Sequence, residues 1–481
     1  MSDQGVIPRS EDYAAWYNEV IRRAQLVDYG PVKGTMVIRP YGFALWEHIK
    51  EGLDRRFKET GHENAYFPMF IPYSFIQKEA EHVEGFSPEL ALVTHAGGKE
   101  LEEPLVVRPT SETIINHMYS KWIQSYRDLP VLINQWVNVV RWELRTRPFL
   151  RTSEFLWQEG HTAHATQEEA QEETIRMLNV YADFAINDAA IPVVPGRKSN
   201  IEKFAGAVAS YTIEAMMGDG KALQSGTSHN LGQNFSKAFD TKFLTTEGGH
   251  EYVWQTSWGV STRMVGGVIM AHGDDKGLIL PPRLAPHQAV IVPIWKSDEQ
   301  KGSVLEMVEK IERSLKDTGL RVKSDTSDQE NPGWKFNEYE MRGVPLRIEI
   351  GPKDVEKDAV VFARRDRPGK EGKEFGIPSN EAGMRASEWL EDIQKSLLER
   401  ATQFRDENTT DVENVETFRE VIAASRWARV WWSGTDDQER KIKEETGATI
   451  RCFPIDQPGG KDSCFYTGEE ANKVALFAKA Y

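Results

Sequence analysis

Cysteine is almost missing from this chain of 481 residues, in which only Cys452 and Cys464 occur. Two cysteines exclude a disulfide framework and a zinc site made of four thiolates within one chain. Such scarcity is typical of proteins from a reducing compartment. Because the N-terminus also lacks a basic start followed by an apolar stretch, we predict a cytoplasmic location.

Long apolar runs and several widespread motifs are missing as well. The most apolar stretches, such as 289–295, are far shorter than the roughly 20 residues that a bilayer requires, so we predict no membrane partner. The chain has no P-loop, since the glycines and lysine at 218–221 have the wrong spacing. It also has no G-x-S-x-G elbow and no H-E-x-x-H pair, which excludes those hydrolase and metalloprotease templates.

Positive charge is in deficit, because 59 Lys and Arg residues face 74 Asp and Glu residues and leave a formal net charge of −15. A protein that coats nucleic acid without sequence preference is usually basic. A nucleic acid nevertheless senses local charge, and the basic segment 364–373 offers one such patch. We therefore expect salt-sensitive, transient contact with any nucleic-acid partner instead of avid coating.

The length predicts two to four domains, and two breaks divide the chain. Three prolines within 280–286 forbid a helix there. A polar stretch at 405–411 has no apolar periodicity. These breaks predict domains over residues 1–282, 287–400 and 405–481.

The first domain mixes helix and strand signals without alternating them. A capping box, Thr166 with Glu169, starts one helix, and β-branched and aromatic residues mark strands near 131–141 and 252–262. This pattern favours an antiparallel sheet flanked by helices, whereas strands and helices alternate over 287–400 and predict a small α/β domain. We expect a multidomain α+β fold that ends in a small α/β domain.

The most informative constellation is Arg141 with Glu143, followed by Arg151 and Phe155. An Arg and a Glu two apart on a strand point to the same face, and a returning strand would place Phe155 opposite them. Such a face offers a guanidinium for an α-phosphate, a carboxylate for an exocyclic amine and a ring for a base. A surface hairpin with ion pairs explains the spacing equally well.

Three further clusters carry polar side chains in dense runs. The run at 108–112 begins a helix, with Thr110 as a candidate N-cap. The run at 224–233 packs amides, hydroxyls and an imidazole between glycines, which is costly to bury unless a ligand or the backbone satisfies them. The run at 258–263 ends a strand in Arg263. A capped helix, a polar turn and a plain strand end are their simpler interpretations.

His161 and His164 invite a metal interpretation, since histidines three apart share a helix face. They precede the capping residue Thr166, however, and so lie on a strand or loop where this spacing has no special meaning. A polar pocket residue or a core histidine is the better interpretation, and we predict no metal site.

Together, in this order, the clusters resemble the active site of class II aminoacyl-tRNA synthetases. Pro68 matches the first motif of that class, which lies at its dimer interface, and the constellation at 141–155 matches the second. The strand that ends in Arg263 matches the third motif, although the glycines of that motif are degenerate here. Within the class, the runs at 108–112, 157–161 and 226–229 are similar to prolyl-tRNA synthetases of the archaeal and eukaryotic type.

The resemblance implies a homodimeric, ATP-dependent ligase that forms prolyl-adenylate and transfers the prolyl group to tRNA(Pro). Magnesium would enter with ATP. The residues that the resemblance assigns to ATP are Arg141, Glu143, Arg151, Thr152, Phe155, Gln224, Thr227 and Arg263. Those that it assigns to L-proline are Thr110, Glu112, Arg141, Trp157, Glu159, His161, Phe204, His229 and Ser261.

Two arginines are expected to be catalytic by this resemblance. Arg141 would hold the proline carboxylate and the α-phosphate, where negative charge develops. Arg263 would sandwich the adenine with Phe155 and, together with Arg151, reach the outer phosphates. Thr110 and Glu112 would accept hydrogen bonds from the proline ammonium.

The domain at 287–400 resembles the anticodon-binding domain that synthetases for proline, threonine, glycine and histidine share. By this resemblance Phe336 would stack on a base, while Glu340, Arg347 and Lys353 would read guanine edges. Core packing and surface ion pairs explain the same four residues equally well.

The last domain departs from the family, many of whose members bind zinc there through cysteines. Ser433, Gln438 and Tyr466 occupy positions where cysteines are common, and Cys464 is the remaining ligand position. We therefore expect no structural zinc and predict that apolar packing around the tryptophans at 431–432 replaces it.

Two rival functions remain open. A threonyl-tRNA synthetase normally reads its substrate through a zinc bound by Cys and His, and the first domain has no cysteine. A nonenzymatic synthetase paralogue tends to lose the arginines that contact ATP, whereas Arg141, Arg151 and Arg263 are all present.

Overall fold

The computed structural model describes residues 6–78, 90–143, 145–367 and 369–481. Its α-helices are α1 (Tyr13–Arg23), α2 (Pro40–Glu59), α3 (Tyr73–Gln77), α4 (Glu112–Trp122), α5 (Gln167–Asn187), α6 (Asn234–Ala238), α7 (Arg263–His272), α8 (Asp298–Asp317), α9 (Pro332–Met341), α10 (Pro352–Glu356), α11 (Ala382–Glu407), α12 (Val415–Ala423) and α13 (Asp436–Thr446). Short 3-10 helices span Tyr126–Asp128 and Lys370–Gly372.

The strands form one large sheet, one five-stranded sheet and several small ones. In chain order the strands are β1 (Val27–Tyr29), β2 (Met36–Ile38), β3 (Glu63–Asn64), β4 (Phe70–Pro72), β5 (Ala91–Ala96), β6 (Lys99–Val107), β7 (Val131–Val140), β8 (Glu154–His164), β9 (Val193–Arg197), β10 (Ala209–Met216), β11 (Ala222–Gly232), β12 (Lys242–Leu244), β13 (His250–Tyr252), β14 (Trp254–Ser261), β15 (Ala289–Pro293), β16 (Val322–Ser324), β17 (Leu346–Ile350), β18 (Ala359–Arg364), β19 (Lys373–Pro378), β20 (Thr409–Asp411), β21 (Trp427–Trp431), β22 (Thr449–Pro454), β23 (Asp462–Ser463), β24 (Glu470–Ala471) and β25 (Val474–Ala478).

The large sheet has the order β20-β21-β25-β22-β9-β10-β11-β14-β8-β7-β3. From β9 to β7 all neighbouring strands are antiparallel, as the sequence predicts. Pairing of β22 with β9 joins the strands of the C-terminal domain to those of the first domain. The first and last domains therefore share one continuous sheet.

Helix α5 covers one face of this sheet. Its predicted capping box is confirmed, because Thr166 Oγ1 accepts a hydrogen bond from Glu169 N at 3.2 Å and Glu169 Oε2 accepts one from Thr166 N at 3.2 Å. The helix buries Tyr181 and Phe184 completely, and the Tyr181 ring meets the buried Trp258 of β14 edge to face. Burial of each such side chain contributes about 1.5 to 3 kcal/mol to the stability of the fold. This packing holds helix α5 against the sheet.

The second domain is the predicted small α/β unit. Strand β15 pairs in parallel with β16 and β17, while β17, β18 and β19 pair in antiparallel fashion. Helices α8 and α11 bury their apolar faces in the same core as these strands.

The break predicted at 405–411 is ordered secondary structure. Helix α11 continues to Glu407, and β20 begins two residues later and pairs in parallel with β21. The apolar stripe of α11 ends at Leu397, but Glu, Arg and Gln are good helix formers and sustain a solvated last segment. The domain boundaries themselves stay predictions. Across the described ranges, the structure has no helix long and apolar enough to cross a membrane.

Candidate active site

A cavity of about 210 Å³ opens on the large sheet, where strands β11, β14 and β8 run side by side. The predicted residues on its wall are Thr110, Glu112, Arg141, Phe155, Trp157, Glu159, His161, Phe204, Gln224, Thr227, His229, Ser261 and Arg263. All residues that the sequence assigns to proline thus line one cavity.

Strand register explains this convergence. Alternate side chains of β8 share one face of the sheet. In the ladder, Glu159 of β8 pairs with Gly259 of β14, and His161 pairs with Ser257. Gly259 is in turn opposite Thr227 of β11. Three neighbouring strands therefore present their polar positions side by side.

Glu159 is the most densely bonded carboxylate of the wall. It accepts hydrogen bonds from Ser111 Oγ at 2.5 Å, Ser111 N at 3.1 Å and Gln135 Nε2 at 2.7 Å, and His161 Nε2 lies 3.2 Å away. Burial alone would raise the pKa of Glu159, but the bonds from His161 and Ser111 outweigh burial and hold it below its usual range. Burial alone would lower the pKa of His161, and the same carboxylate raises it. The carboxylate and the imidazole therefore hold each other in place on the cavity wall.

Thr110 and Glu112 face each other beside this pair. Thr110 Oγ1 donates to Glu112 Oε2 at 2.5 Å, and both residues are almost completely buried. The predicted role of Thr110 as an N-cap is wrong, because Ser111 is the N-cap of α4 and makes no side-chain cap bond. The Thr110 hydroxyl instead orients the Glu112 carboxylate inside the cavity.

Arg141 and Glu143 lie just beyond β7, and not on the strand as predicted. Strand β7 ends at Val140, so Phe155 is opposite Val139 in the ladder. Strand β7 therefore ends one residue earlier than the sequence pattern suggests. The predicted contact between Arg141 and Phe155 is nevertheless present.

Two aromatic rings hold the Arg141 guanidinium. Its Cζ lies 5.6 Å from the Phe155 ring centroid and 5.2 Å from that of Trp157, and Nε donates to Pro109 O at 3.1 Å. Cation–π contacts of this kind fix a cation without neutralising it. The wall therefore carries a preoriented positive charge.

Arg263 supplies a second, partly buried cation at the start of α7. Its Nε donates to Leu150 O at 3.2 Å and its Nη1 to Gln224 O at 3.5 Å. Burial, with repulsion from Arg151 and Arg141, lowers the pKa of Arg263 to about 10. The guanidinium stays charged at neutral pH, and an anion bound between these arginines would relieve their repulsion.

Phe204 stacks on His229 at the opposite side of the cavity. Their ring centroids are 4.7 Å apart and their planes differ by 27°. Ser210 Oγ accepts from Phe204 N at 2.9 Å and lies 2.8 Å from His229 Nδ1. Burial, followed by the charges of Lys198 and Arg141, lowers the pKa of His229 to about 3, so the imidazole is neutral at physiological pH.

Three residues that the sequence assigns to ATP lie outside the cavity wall. Arg151 and Glu143 face each other with 3.7 Å between Nη1 and Oε2, and Arg151 is exposed. Thr152 is buried, and its hydroxyl donates to Glu154 O at 2.7 Å. Their contact with ATP stays a prediction.

Sequence reasoning missed several residues of the wall. These are Lys198, Glu202, Ser210, Ser225, Gly226, Ser257, Trp258, Gly259 and Val260. The period of two along β14, counted back from Ser261, indicates Ser257 and Gly259. Lys198 and Glu202 lie in an irregular segment between β9 and β10, where no pattern marks them.

The structure separates the two histidines that invited a metal interpretation. His161 lies on the cavity wall, whereas His164 Nε2 lies 2.7 Å from Thr162 Oγ1 in the interior. Within the part of the chain that the structure describes, no group of three or more His, Cys, Asp or Glu side chains could hold a metal ion.

Family models match most of the chain. The model described as "Prolyl-tRNA synthetase, C-terminal" matches residues 415–481. The model described as "tRNA synthetase class II core domain (G, H, P, S and T)" matches residues 93–272. The "Anticodon binding domain" model matches residues 288–377.

Curated relatives match over their length. The chain is 62% identical over 482 residues to the chloroplastic/mitochondrial proline–tRNA ligase of Arabidopsis thaliana, covering 100% of this chain and 89% of that protein. It is 56% identical over 483 residues to the proline–tRNA ligase of Roseiflexus castenholzii, with 100% of both chains covered. The chain belongs to the proline–tRNA ligase family. This family attaches proline to tRNA, so the predicted family, enzymatic activity and class II fold are confirmed.

The chain is also similar to a solved structure. The crystal structure of prolyl-tRNA synthetase from Cryptosporidium parvum, complexed with halofuginone and AMPPNP, matches with a TM-score of 0.94 and 40% identity. The match covers 99% of each chain.

In this proline–tRNA ligase family member, three of the four residues predicted to read the anticodon lie together. The Arg347 guanidinium lies 4.1 Å from the Phe336 ring centroid, and Arg347 Nη1 lies 3.9 Å from Glu340 Oε1. Lys353 lies on α10, beyond the far end of β17, and is exposed. The structure therefore does not bring Lys353 to the other three.

The basic segment of the ligase at 364–373 is largely occupied by ion pairs. Arg364 donates two hydrogen bonds to Asp366 at 2.7 Å each. Arg365 is buried and pairs with both carboxylate oxygens of Asp274 at 2.6 and 2.9 Å. Arg364 and Arg365 are therefore satisfied within the fold, whereas Arg367 and Lys370 are exposed, and the basic patch stays a prediction for those two residues.

The C-terminal domain of the ligase has an aromatic core. The ring of Phe465 lies 4.8 Å from Phe418 and 5.9 Å from the nearly buried Trp432. Cys464 is buried next to them, where burial alone would raise its pKa, but hydrogen bonds from Thr467 and the backbone hold that pKa below its usual range.

Proposed function

We propose that the cavity binds L-proline and ATP next to each other and joins them as prolyl-adenylate. The observation that carries this proposal is the shared wall of the cavity, where two partly buried arginines, Arg141 and Arg263, converge with the buried carboxylate of Glu112. A cation pair suits the carboxylate and phosphates of the reactants, and the acidic side chain suits an ammonium group.

The amino-acid end of the cavity is the side of Thr110 and Glu112. Thr110 points its hydroxyl at Glu112, which leaves the carboxylate oriented to accept from the secondary ammonium of proline. A buried site that must hydrogen-bond its ligand rejects neutral analogues better than a site that only measures size. The stacked rings of Phe204 and His229 close the apolar side around the pyrrolidine ring.

Arg141 acts at the reacting atoms. The proline carboxylate is the nucleophile and needs no protein base, so positioning and electrostatic stabilisation carry the step. The guanidinium, fixed between Phe155 and Trp157, meets the charge that develops at the α-phosphorus. Pyrophosphate then leaves, and the 3′-terminal adenosine of tRNA(Pro) takes the prolyl group in a second step.

ATP is proposed to lie between Phe155 and Arg263, with Gln224 and Thr227 beside it. Glu143, Arg151 and Thr152 would contact ATP from the hairpin rim. Mg²⁺ would enter on the ATP phosphates, since it prefers phosphate and water oxygens to an all-protein cage.

Four further proposals concern the whole chain. We propose a homodimer through the groove at α2 and β7, where the aromatic side chains of Phe43 and Tyr66 are 40% and 73% exposed beside charged residues of α2. We propose a cytoplasmic enzyme. We also propose that it has no structural zinc, because Ser433, Gln438 and Tyr466 stand where cysteines are common in the family and leave Cys464 as the remaining ligand position. The anticodon domain would bind tRNA through Phe336 and its neighbours.

The ATP assignment is tested by replacing Phe155 with leucine. Loss of stacking on the adenine predicts a KM for ATP that rises about tenfold in pyrophosphate exchange. The KM for proline stays within about twofold, and Phe375→Leu, an exposed position of β19, serves as the control. A Phe155→Leu enzyme with an unchanged KM for ATP would contradict the assignment.

A further inference from the structure

One wall of the amino-acid cavity is an irregular segment, residues 198–204, between β9 and β10. It contributes Lys198, Glu202 and Phe204 to the wall. The segment forms neither a helix nor a named strand, and its backbone is anchored at its two ends, where Lys198 N donates to Ser210 O at 2.8 Å and Phe204 N donates to Ser210 Oγ at 2.9 Å. Between these ends its position depends largely on side-chain contacts.

Those contacts come to a large extent from the C-terminal domain. Ser199 Oγ donates to Glu439 Oε1 of α13 at 2.8 Å. Lys443 of the same helix donates to Glu202 Oε1 at 3.0 Å. Asn200 Nδ2 also donates to Asp436 Oδ1 at 3.4 Å, so three hydrogen bonds connect the segment to a helix more than 200 residues away in sequence.

A buried charge cluster also connects the segment to the C-terminal domain. Glu214 of β10 is inaccessible to solvent, and its Oε1 accepts from Lys198 Nζ at 3.2 Å. Its other oxygen, Oε2, accepts from Arg451 Nε of β22 at 3.0 Å, and Arg451 Nη2 lies 3.0 Å away as well. Arg451 is fixed in turn by Thr449 Oγ1, which accepts from Nη1 at 3.0 Å.

The cluster holds two cations against one carboxylate in a space without solvent. Burial alone would raise the pKa of Glu214, but Lys198 and Arg451 hold it below its usual range. Without Arg451, Glu214 Oε2 loses the guanidinium that donates to it, and the buried carboxylate is left to draw the Lys198 ammonium toward both of its oxygens. The position of the Lys198 side chain therefore depends on Arg451.

We infer that the C-terminal domain is a positioning element of the amino-acid cavity, in which Arg451 acts through Glu214 and Lys198. This inference rests on the proposed assignment of the cavity to proline. Arg451 does not line the cavity and contacts neither proline nor ATP in this proposal; it acts on the cavity wall through Glu214 and Lys198. Because the segment faces the amino-acid side, its displacement weakens proline binding and leaves ATP binding unchanged.

The test compares Arg451→Met, Arg451→Lys and Arg419→Met in proline-dependent pyrophosphate exchange. Arg419 pairs with Glu445 on the surface of the same domain, so it is the matched control for an arginine loss. We expect Arg451→Met to raise the KM for proline about tenfold, with the KM for ATP and kcat changed by less than about threefold. Arg451→Lys restores the KM for proline to within about threefold of the wild type, and Arg419→Met matches the wild type.

Ser199→Ala keeps the inference testable if Arg451→Met does not fold. It removes one hydroxyl bond to Glu439 and leaves the charge cluster whole. We expect its KM for proline to rise by about threefold at unchanged kcat. An unchanged KM for proline in folded Arg451→Met, or in Ser199→Ala if the former does not fold, overturns the inference even where the unfolding temperature falls. Wild-type enzyme without proline-dependent exchange would instead refute the proposed function.

Discussion

Thr110 donates a hydrogen bond to Glu112 across 2.5 Å inside the cavity. A threonine at this position would ordinarily be expected to cap the following helix. Here the hydroxyl orients a buried carboxylate, and the helix begins without a side-chain cap. The bond therefore belongs to the cavity wall and does not cap the helix.

Replacing Glu112 with glutamine tests the charge in this pair. A hydrogen bond to a charged group contributes about 1.5 to 3 kcal/mol, so the KM for proline rises about 10- to 100-fold. The KM for ATP stays near its wild-type value in pyrophosphate exchange. Glu154→Gln, an exposed position at the start of β8, is the control. Equal changes in both KM values would mean that Glu112 supports the fold and does not bind the ammonium.

Replacing Arg141 with glutamine removes the cation that we propose to meet the α-phosphate. Loss of one preorganised donor costs about 100- to 1,000-fold in kcat. Steady-state pyrophosphate exchange measures this loss, with the exposed Arg145→Gln as the control. A kcat within about tenfold of the wild type would contradict a catalytic Arg141.

Replacing Arg347 with glutamine separates the recognition of tRNA from the formation of the adenylate. Its guanidinium lies 4.1 Å from the Phe336 ring centroid, in a different domain from the cavity. Aminoacylation then loses about 1 to 3 kcal/mol in kcat/KM for tRNA, while pyrophosphate exchange without tRNA stays unchanged. Arg385→Gln, which breaks a pair with Glu374 in the same domain, is the control. Loss of exchange in Arg347→Gln would show that the variant damages the fold.

Glu439 makes stability depend on pH. Burial, with the nearby carboxylates of Glu202 and Asp436, raises the pKa of Glu439 from 4.5 to about 7, although Ser199 donates to it. A raised pKa in the folded state means that its stabilisation is complete below pH 4.5 and is lost as the pH rises through about 7.

Glu439→Gln tests this dependence in urea titrations between pH 5 and 8. At pH 8 the variant has a free energy of unfolding about 1 to 2 kcal/mol above that of the wild type, and the difference shrinks toward pH 5. The exposed Glu444→Gln shows no such trend. A constant difference between variant and wild type would exclude the predicted titration.

The fold follows from local patterns where those patterns are strong. The capping box of Thr166 and Glu169 and the alternation over 287–400 both predict what the structure contains. The stretch at 405–411 was interpreted as a break because it lacks apolar residues, yet the polar end of a long helix lacks them too. Periodicity reports a buried face, and it does not detect a solvated helix.

The site could be predicted where its residues belong to motifs or alternate along a strand. Lys198, Glu214 and Arg451 could not be predicted, because residues 214 and 451 are 237 positions apart and come together through the pairing of distant strands. Buried charges are rare in general, so no composition signal marks them in advance. Likewise, nothing in the Arg-rich segment at 364–373 indicates that Asp274 of another domain pairs with Arg365.

Amino-acid-dependent exchange of pyrophosphate into ATP is the most direct measurement of the proposed chemistry. The purified chain should support exchange with proline and not with threonine, and Glu112→Gln should raise the proline concentration that exchange requires. Exchange with threonine, or no exchange with any amino acid, would contradict the assignment of this cavity to the formation of prolyl-adenylate.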